Sequence, residues 1–493
     1  MRFTRTLLLS VITTVAVFGA HAQNAELTSL PPMDAARIQS IDTFVTAELT
    51  RQKIPGAELG IYSRGRVLMA KGYGLANVEL DVPVKPETIM QSGSVGKQFV
   101  SAAIMILLEE GKISLDDSLA RYFPDAPATW KPILIRNLLS HTSGLSEYES
   151  DDRIGPKGAF YLRLDFTEDE LATKIEALPI EWAPGSKWAY RNTNYVLLGF
   201  IIHKITGVRY DQFMAERMFK PLGMTSTRLI SDRDIIPNRA AGYELVDGQL
   251  KNQEWVSPTF NSTADGTLYF NVIDLAKWDD ALNGTRLLKQ SSLNRMWTVY
   301  PLNDGKPNPA GYGFAWAIGD QNGHKRIEHD GAWQGFTCNI SRYPDDGLTV
   351  AVLTNLAYAD TGLMTHVIAG LVDTPLMPAR LTAIADNKPE IAAALAKMLD
   401  KLAAGVDIRP QVTVEALKFL APETEAAVKK MLEPLWPGGT LALVEREPVP
   451  DAPGQLGSTF RLKKGSDAKL VYFVLNAEGK IADVEISGDR EYQ

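Results

Sequence analysis

The stretch Phe99-Val100-Ser101-Ala102-Ala103-Ile104-Met105-Ile106-Leu107-Leu108 is apolar on nearly every face, and it limits the folds open to this chain more than any other feature. A helix of that composition has no side to offer water, so it must stand as a pillar inside a large core, ending at the helix breaker Gly111. Just before it lies Gln91-Ser92-Gly93-Ser94-Val95-Gly96-Lys97, which holds Ser-x-x-Lys at Ser94 and Lys97. That spacing puts the two side chains one turn apart on one face at the helix N-terminus, where free backbone N–H groups favour developing negative charge. A serine hydroxyl attacks only with help, and lysine becomes a base when burial and a cationic neighbour hold its pKa down. Ser94 is therefore the candidate nucleophile and Lys97 its candidate base. Ser466-Asp467-Ala468-Lys469 repeats the pattern in a charged turn with no apolar helix behind it, so the context and not the tetrapeptide carries the assignment.

At 493 residues, 45% apolar and 22% charged, the chain is long enough for one large globular domain and a smaller one. Arg2 and Arg5, the apolar run Leu7 to Gly19, and Ala20-His21-Ala22 read as a secretory signal (residues 1–22) cleaved near Ala22. The expected product is periplasmic or secreted, with no integral membrane segment in the mature chain. Cys338, the single cysteine, can form no intramolecular disulfide and leaves no lipidated N-terminus; it reads as a small buried hydrophobe. The net charge is −8, and −10 once Arg2 and Arg5 leave with the signal, which gives no reason to expect nucleic acid as a partner. The six histidines, at 21, 141, 203, 324, 329 and 366, contain no His-x-x-x-His pair, so no metal is expected.

Met33 to Gln52 has helical spacing, and Ala57 to Tyr62 with Val67 to Tyr73 reads as a hairpin. After the pillar, residues 146–170 are polar and acidic and read as a surface excursion able to overhang a cleft. A second apolar helix runs from Tyr195 to Gly207, and another begins near Asn271. Tyr312 to Ile318, Ile327 to Glu328, Phe336 to Arg342 and Leu348 to Leu353 read as strands in series, closed by a helix from Gly362 to Val372. Strands at both ends of a helical middle imply an α+β fold, one antiparallel sheet flanked by helices with an inserted helical subdomain, over residues 33–375. Prolines 375, 378 and 389 mark a linker at 376–390, and residues 391–493 read as a small α+β domain with helices at 391–402 and 412–432 followed by four strands.

Chemistry at Ser94 needs a proton carrier and donors for an oxyanion. Tyr190-x-Asn192 supplies a phenol able to relay the proton and an amide able to hydrogen-bond Lys97 or the substrate. In the similar Tyr269-Phe270-Asn271, Asn271 has the simpler role of capping the next helix. His329-Asp330-Gly331 enters the strand that leads to Phe336: Gly331 lets a substrate approach the backbone, the Ala332 N–H can pair with that of Ser94, and His329 can point a donor into the cleft.

Taken in order, Ser94-x-x-Lys97, Tyr190-x-Asn192 and His329-x-Gly331 resemble the three motifs of the serine β-lactamase and penicillin-binding-protein superfamily, in its class C-like branch. Leu138 to Leu145 (Leu-Leu-Ser-His-Thr-Ser-Gly-Leu), Pro221 to Met224 and Asp274 to Trp278 resemble the same branch. The resemblance implies an acyl-enzyme on Ser94, proton movement by Lys97 and Tyr190, and no cofactor. It implies a small-molecule ester, amide or peptide as substrate, D-alanyl peptides and β-lactams included. A non-catalytic or slowly acylating sensor with the same fold is the competing expectation. Two departures stand out. His329 occupies a position where β-lactamases of the branch carry lysine, removing a fixed charge for a substrate carboxylate. Arg191 stands between Tyr190 and Asn192, where small residues are common, and either restores charge nearby or faces solvent. Tyr148 and Trp333 are candidate cleft walls.

Overall fold

The computed structural model describes residues 30–378, 381–413, 416, 429, 432–449, 455–465 and 467–488. The expected signal, Ser466 and most of the helix expected at 412–432 lie outside them.

The centre is a seven-stranded antiparallel sheet in the order Val82–Pro83, Arg66–Asn77, Gly56–Ser63, Leu348–Thr354, Phe336–Tyr343, His324–Trp333, Ala317–Gln321. Chain-distant strands therefore meet in the middle, with Ala57 opposite Thr354 and Gly331 opposite Cys338. Alternation along the strands feeds two cores. Val350 and Val352 pack with Ile41, Val45 and Ile368 from the helices Ala35–Gln52 and Thr361–Val372. Ala351 and Leu353 face the other way and join the core around the pillar.

The pillar is the helix Lys97–Glu109, in which every residue from Lys97 to Leu107 is buried. Phe99 lies 4.4 Å from the Trp278 ring and meets Phe219 edge-on at 5.6 Å, contacts worth about 0.5–1.5 kcal/mol each beyond burial. The helix ends where Gly111 takes a left-handed φ of 69°. Its start differs from the sequence expectation, because Gly93–Gly96 form a separate 3-10 turn and the α-helix begins at Lys97. Ser94 thus sits on the turn, and the two side chains meet across the junction of turn and helix.

Helix Asn192–Thr206 packs against the pillar and ends at Gly207, and helix Val272–Leu282 is capped by the Asn271 side chain accepting from the Asp274 N–H at 2.9 Å. Tyr312 to Ile318 is not a continuous strand. Left-handed φ angles at Gly311 and Ala315 turn the chain back, so that Tyr312 bridges Ala317 and the strand proper runs Ala317–Gln321. Residues 146–170 are only in part a surface excursion, since Ser146 and Tyr148 are fully buried.

Beyond residue 388, helix Pro389–Ala403 covers a four-stranded antiparallel sheet, Thr440–Pro448, Leu456–Lys464, Asp467–Leu475 and Ile481–Gly488 in sequential order. Its apolar core, including Leu395, Leu399, Phe460 and Phe473, draws only on residues from 391 onward. Among the described residues, no helix is long and apolar enough to cross a membrane.

Candidate active site

Three chain segments lock the Ser94 turn. Ser92 donates to the carbonyls of Gly93 and Gly266 at 2.9 and 3.0 Å and accepts from the Leu268 N–H at 3.1 Å. Two glycines permit the packing. A Cβ on Gly331 would lie 2.2 Å from the Ser92 carbonyl and 2.9 Å from the Ser94 nitrogen. One on Gly93, itself at φ 46°, would lie 2.3 Å from the Ala332 nitrogen. The sheet backbone at 331–332 and the turn are therefore in direct contact, and Ser94 and Ala332 line the same small pocket with Asn192 and Trp333.

Lys97 is fully buried, and its Nζ lies 2.8 Å from Ser94 Oγ and 2.7 Å from Asn192 Oδ1, with the Asp265 carbonyl as third partner. Burial pushes its pKa down, and the carboxylates of Asp265, Glu149, Glu147 and Asp330 only partly reverse this. Desolvation is the largest cause of that depression, and among the described residues the leading charged neighbours of Lys97 are carboxylates, not the cation expected from the sequence. The Tyr190 ring lies 4.9 Å from Lys97 Nζ. Burial raises the phenol's pKa well above its ordinary value and the Ser94 hydroxyl works against that, while the buried Oη has no well-formed hydrogen bond.

His329 sits at the site but does not aim a donor into it. Its Nδ1 lies 2.6 Å from the Asp330 carbonyl and its Nε2 2.7 Å from Tyr312 Oη, so Nδ1 donates and Nε2 accepts from the phenol. Burial lowers its pKa, and a neutral ring satisfies both bonds. Arg191 does not restore the missing charge: it pairs with Glu181 at 2.7 Å and stacks over Trp182 at 5.3 Å. Trp333 is a wall of the small pocket, held by its indole N–H donating to Asn261 at 2.9 Å.

The residues that sequence reasoning missed are acidic. Glu147 accepts the Asn192 backbone N–H at 2.6 Å, and Glu149 accepts the Asn192 side-chain amide at 2.5 Å. Tyr148, expected as a cleft wall, is a buried bridge from Glu149 (2.8 Å) to Asp265 (2.7 Å). Burial, reinforced by Asp265 and Glu147, pushes the Glu149 carboxyl up to about 8, and burial raises Glu147 as well. His141 was also missed. It adopts a left-handed φ of 57°, accepts the Arg191 N–H at 3.2 Å and lies 4.2 Å from the Tyr190 ring. Burial lowers its pKa well below the ordinary value, leaving it a neutral aromatic plate behind Tyr190. Acidic pairs flanking an aromatic just after His-Thr-Ser-Gly-Leu were the signal available, at Glu147 and Glu149.

A second, larger cleft of about 450 Å³ begins at Tyr190, Tyr312 and His329 and runs around the edge of the strand His324–Trp333 to the start of helix Thr361–Val372.

The family model described as Beta-lactamase matches residues 41–372. Penicillin-binding protein 4* of Bacillus subtilis (strain 168) is 29% identical over 309 residues, covering 59% of this chain and 66%, just under two thirds, of that protein. An octameric penicillin-binding protein homologue from Pyrococcus abyssi superposes with a TM-score of 0.61 at 23% identity, over 93% of this chain and 99% of the other. The D-amino acid amidase from Ochrobactrum anthropi SV3 superposes with a TM-score of 0.58 at 23% identity, over 69% of this chain and 98% of that one.

Proposed function

The chain belongs to the β-lactamase family of serine hydrolases, and we propose that it cleaves an ester or amide through an acyl-enzyme formed on Ser94. The observation that carries this reading is the contact of a fully buried lysine, depressed in pKa, with the Ser94 hydroxyl at 2.8 Å. Lys97 takes the Ser94 proton as Oγ attacks the carbonyl carbon. Asn192 orients the amine, and the backbone N–H groups of Ser94 and Ala332 receive the oxyanion. Tyr190, whose hydroxyl lies close to that of Ser94, carries the proton to the departing atom. Water then attacks the acyl carbon, the acid leaves, and Ser94 regains its proton. Gly331 keeps the strand against the turn, and His329 holds the wall behind Tyr190 as a neutral ring.

The site supports a substrate with no carboxylate beside the scissile bond, on the acyl part or on the leaving group. The guanidinium of Arg191 is engaged elsewhere and His329 is neutral, so among the described residues lining the Ser94 pocket there is no cation to receive a substrate carboxylate. Simple esters and amides therefore rank ahead of a D-alanyl peptide or a β-lactam. The reading includes export after cleavage near Ala22 and a separate α+β domain from residue 391, supported by the self-contained core there.

The test compares wild type and Ser94→Ala on 4-nitrophenyl acetate and on a penicillin. A loss of about 10³-fold or more on the ester in the variant is expected. Equal turnover by both would refute the assignment, and faster turnover of the penicillin than of the ester would refute the substrate ranking.

A further inference from the structure

The large cleft meets the catalytic centre at Tyr190, whereas Ser94, Asn192 and Ala332 line the small pocket of about 20 Å³. The two spaces are thus divided at the point where the departing atom must receive its proton. The acyl group then belongs on the Ser94 and Ala332 side, and the leaving group belongs in the large cleft. Its volume, about 450 Å³, is that of a small-molecule site. The wall near Tyr190 is aromatic, with Trp188 and Tyr312 beside the phenol. Farther in it is acidic, with Glu328, Asp330 and Asp360. Among the described residues lining it there is no lysine or arginine.

The acids are not equivalent. Glu328 is already paired with Arg326 at 2.9 Å and hydrogen-bonded to His366 at 2.6 Å. Asp330 has a side chain 83% exposed, and its nearest cationic candidate is the neutral His329 at 3.9 Å. Asp360 caps the helix Thr361–Val372 through Leu363, and Arg51, which feels its charge, is paired with Glu48 and stays outside the cleft. Among the described residues lining the cleft, Asp330 therefore has no cationic partner, while Asp360, given to the helix cap and felt by Arg51, adds a weaker negative field, next to aromatic faces that also attract cations. The Tyr190 hydroxyl, close to Ser94, lies where the two spaces meet.

From this geometry we infer that the large cleft is a leaving-group subsite selective for a cationic leaving group, such as an amino alcohol or a quaternary ammonium alcohol or thiol, and that it rejects anionic ones. The inference rests on the acyl-enzyme reading at Ser94. In the reaction the Ser94 Oγ–C bond forms, the bond from carbon to the leaving heteroatom breaks, and the leaving group departs through the cleft with the proton brought by Tyr190.

The test uses the full chain and three thioacetates sharing one acyl group: acetylthiocholine, its uncharged isostere S-(3,3-dimethylbutyl) thioacetate, and S-acetyl-3-mercaptopropionate. Thiol release is followed with a disulfide chromogen. At low ionic strength kcat/KM should be about tenfold higher for the cation than for the neutral thioester, and about tenfold lower for the anion. The spread should shrink in about 0.5 M salt, as solvent-exposed charges are screened. Asp330→Asn should cut the cation-to-neutral ratio about fivefold, the size of one charge pair near water. Equal rates for cation and neutral thioester, or a faster anion, overturn the subsite while leaving the Ser94 chemistry standing. If the neutral thioester is not hydrolysed in a Ser94-dependent way, the acyl-enzyme reading fails and the subsite falls with it.

Discussion

Replacing Glu149 with glutamine should make the protein more stable above neutral pH, and the size of the gain follows from the carboxyl's surroundings. Glu149 is buried beside Asp265 and Glu147, which together hold its proton on up to about pH 8 instead of the ordinary 4.5. A carboxyl whose folded pKa lies above its unfolded one gives the folded state an extra proton. Its stabilising contribution is whole below about pH 4.5 and is withdrawn as pH climbs through about 8. At about 1.4 kcal/mol per pH unit the full withdrawal is about 5 kcal/mol, and the part falling between about pH 6 and pH 9 is about 3 kcal/mol. Glutamine copies the protonated acid: its amide can donate to Tyr148 Oη, which passes its own proton to Asp265, while its carbonyl accepts from Asn192. Urea unfolding of wild type and variant at both pH values measures the effect. Wild type should lose about 3 kcal/mol more than Glu149→Gln over that interval. Parallel pH dependence, within about 1 kcal/mol, would mean that Glu149 is already ionised in the folded protein and refute the argument.

The other expectations concern the site and its support. Lys97→Met keeps the buried volume apolar and should lower kcat about 10³-fold on an activated ester, measured by steady-state kinetics, with the circular dichroism spectrum unchanged. Tyr190→Phe removes only the relay hydroxyl and should cost about 10²-fold in kcat with a small change in KM, more for a poor leaving group than for 4-nitrophenol. Gly331→Ala must push the strand away from the Ser92 carbonyl, 2.2 Å from the new Cβ, and should cost about 10²-fold in kcat/KM through misplacement of Ser94. Phe99→Ala opens a cavity between Trp278 and Phe219 and should lower unfolding free energy by about 3–5 kcal/mol in the same urea assay.

The contact between Ser94 and Lys97 was legible because both sit on a feature with a strong sequence signal, a helix that can only be buried. Tyr190 and Asn192 were legible for a different reason: their spacing matched a pattern that the flanking stretches supported. Family and antiparallel architecture followed from the same motifs. Glu147, Glu149 and Asp265 were not singled out, since acids in a polar loop ordinarily face water, and the Glu-Tyr-Glu triplet after His-Thr-Ser-Gly-Leu, the one local cue, does not say that the loop folds inward. The bridge from Tyr148 to Asp265 spans 117 residues, a contact written in the tertiary fold alone. For His329 the residue was found but its orientation was not, because the acceptor and donor that fix its ring come from Asp330 and from Tyr312 across a turn. The strand expected at Tyr312 to Ile318 failed on backbone conformation, where the non-glycine residue Ala315 takes a left-handed φ of 63°.

The central claim, that Ser94 becomes acylated with Lys97 as its base, is tested most directly by trapping the intermediate. Wild type is mixed with 4-nitrophenyl acetate, acid-quenched on the millisecond scale, and digested for peptide mass analysis, with Lys97→Met treated alongside. The expected result is an acetyl group on the peptide carrying Ser94 in wild type, accumulating far more slowly in the variant. Acetyl found on another residue, or appearing at the same rate without the lysine, would contradict the account.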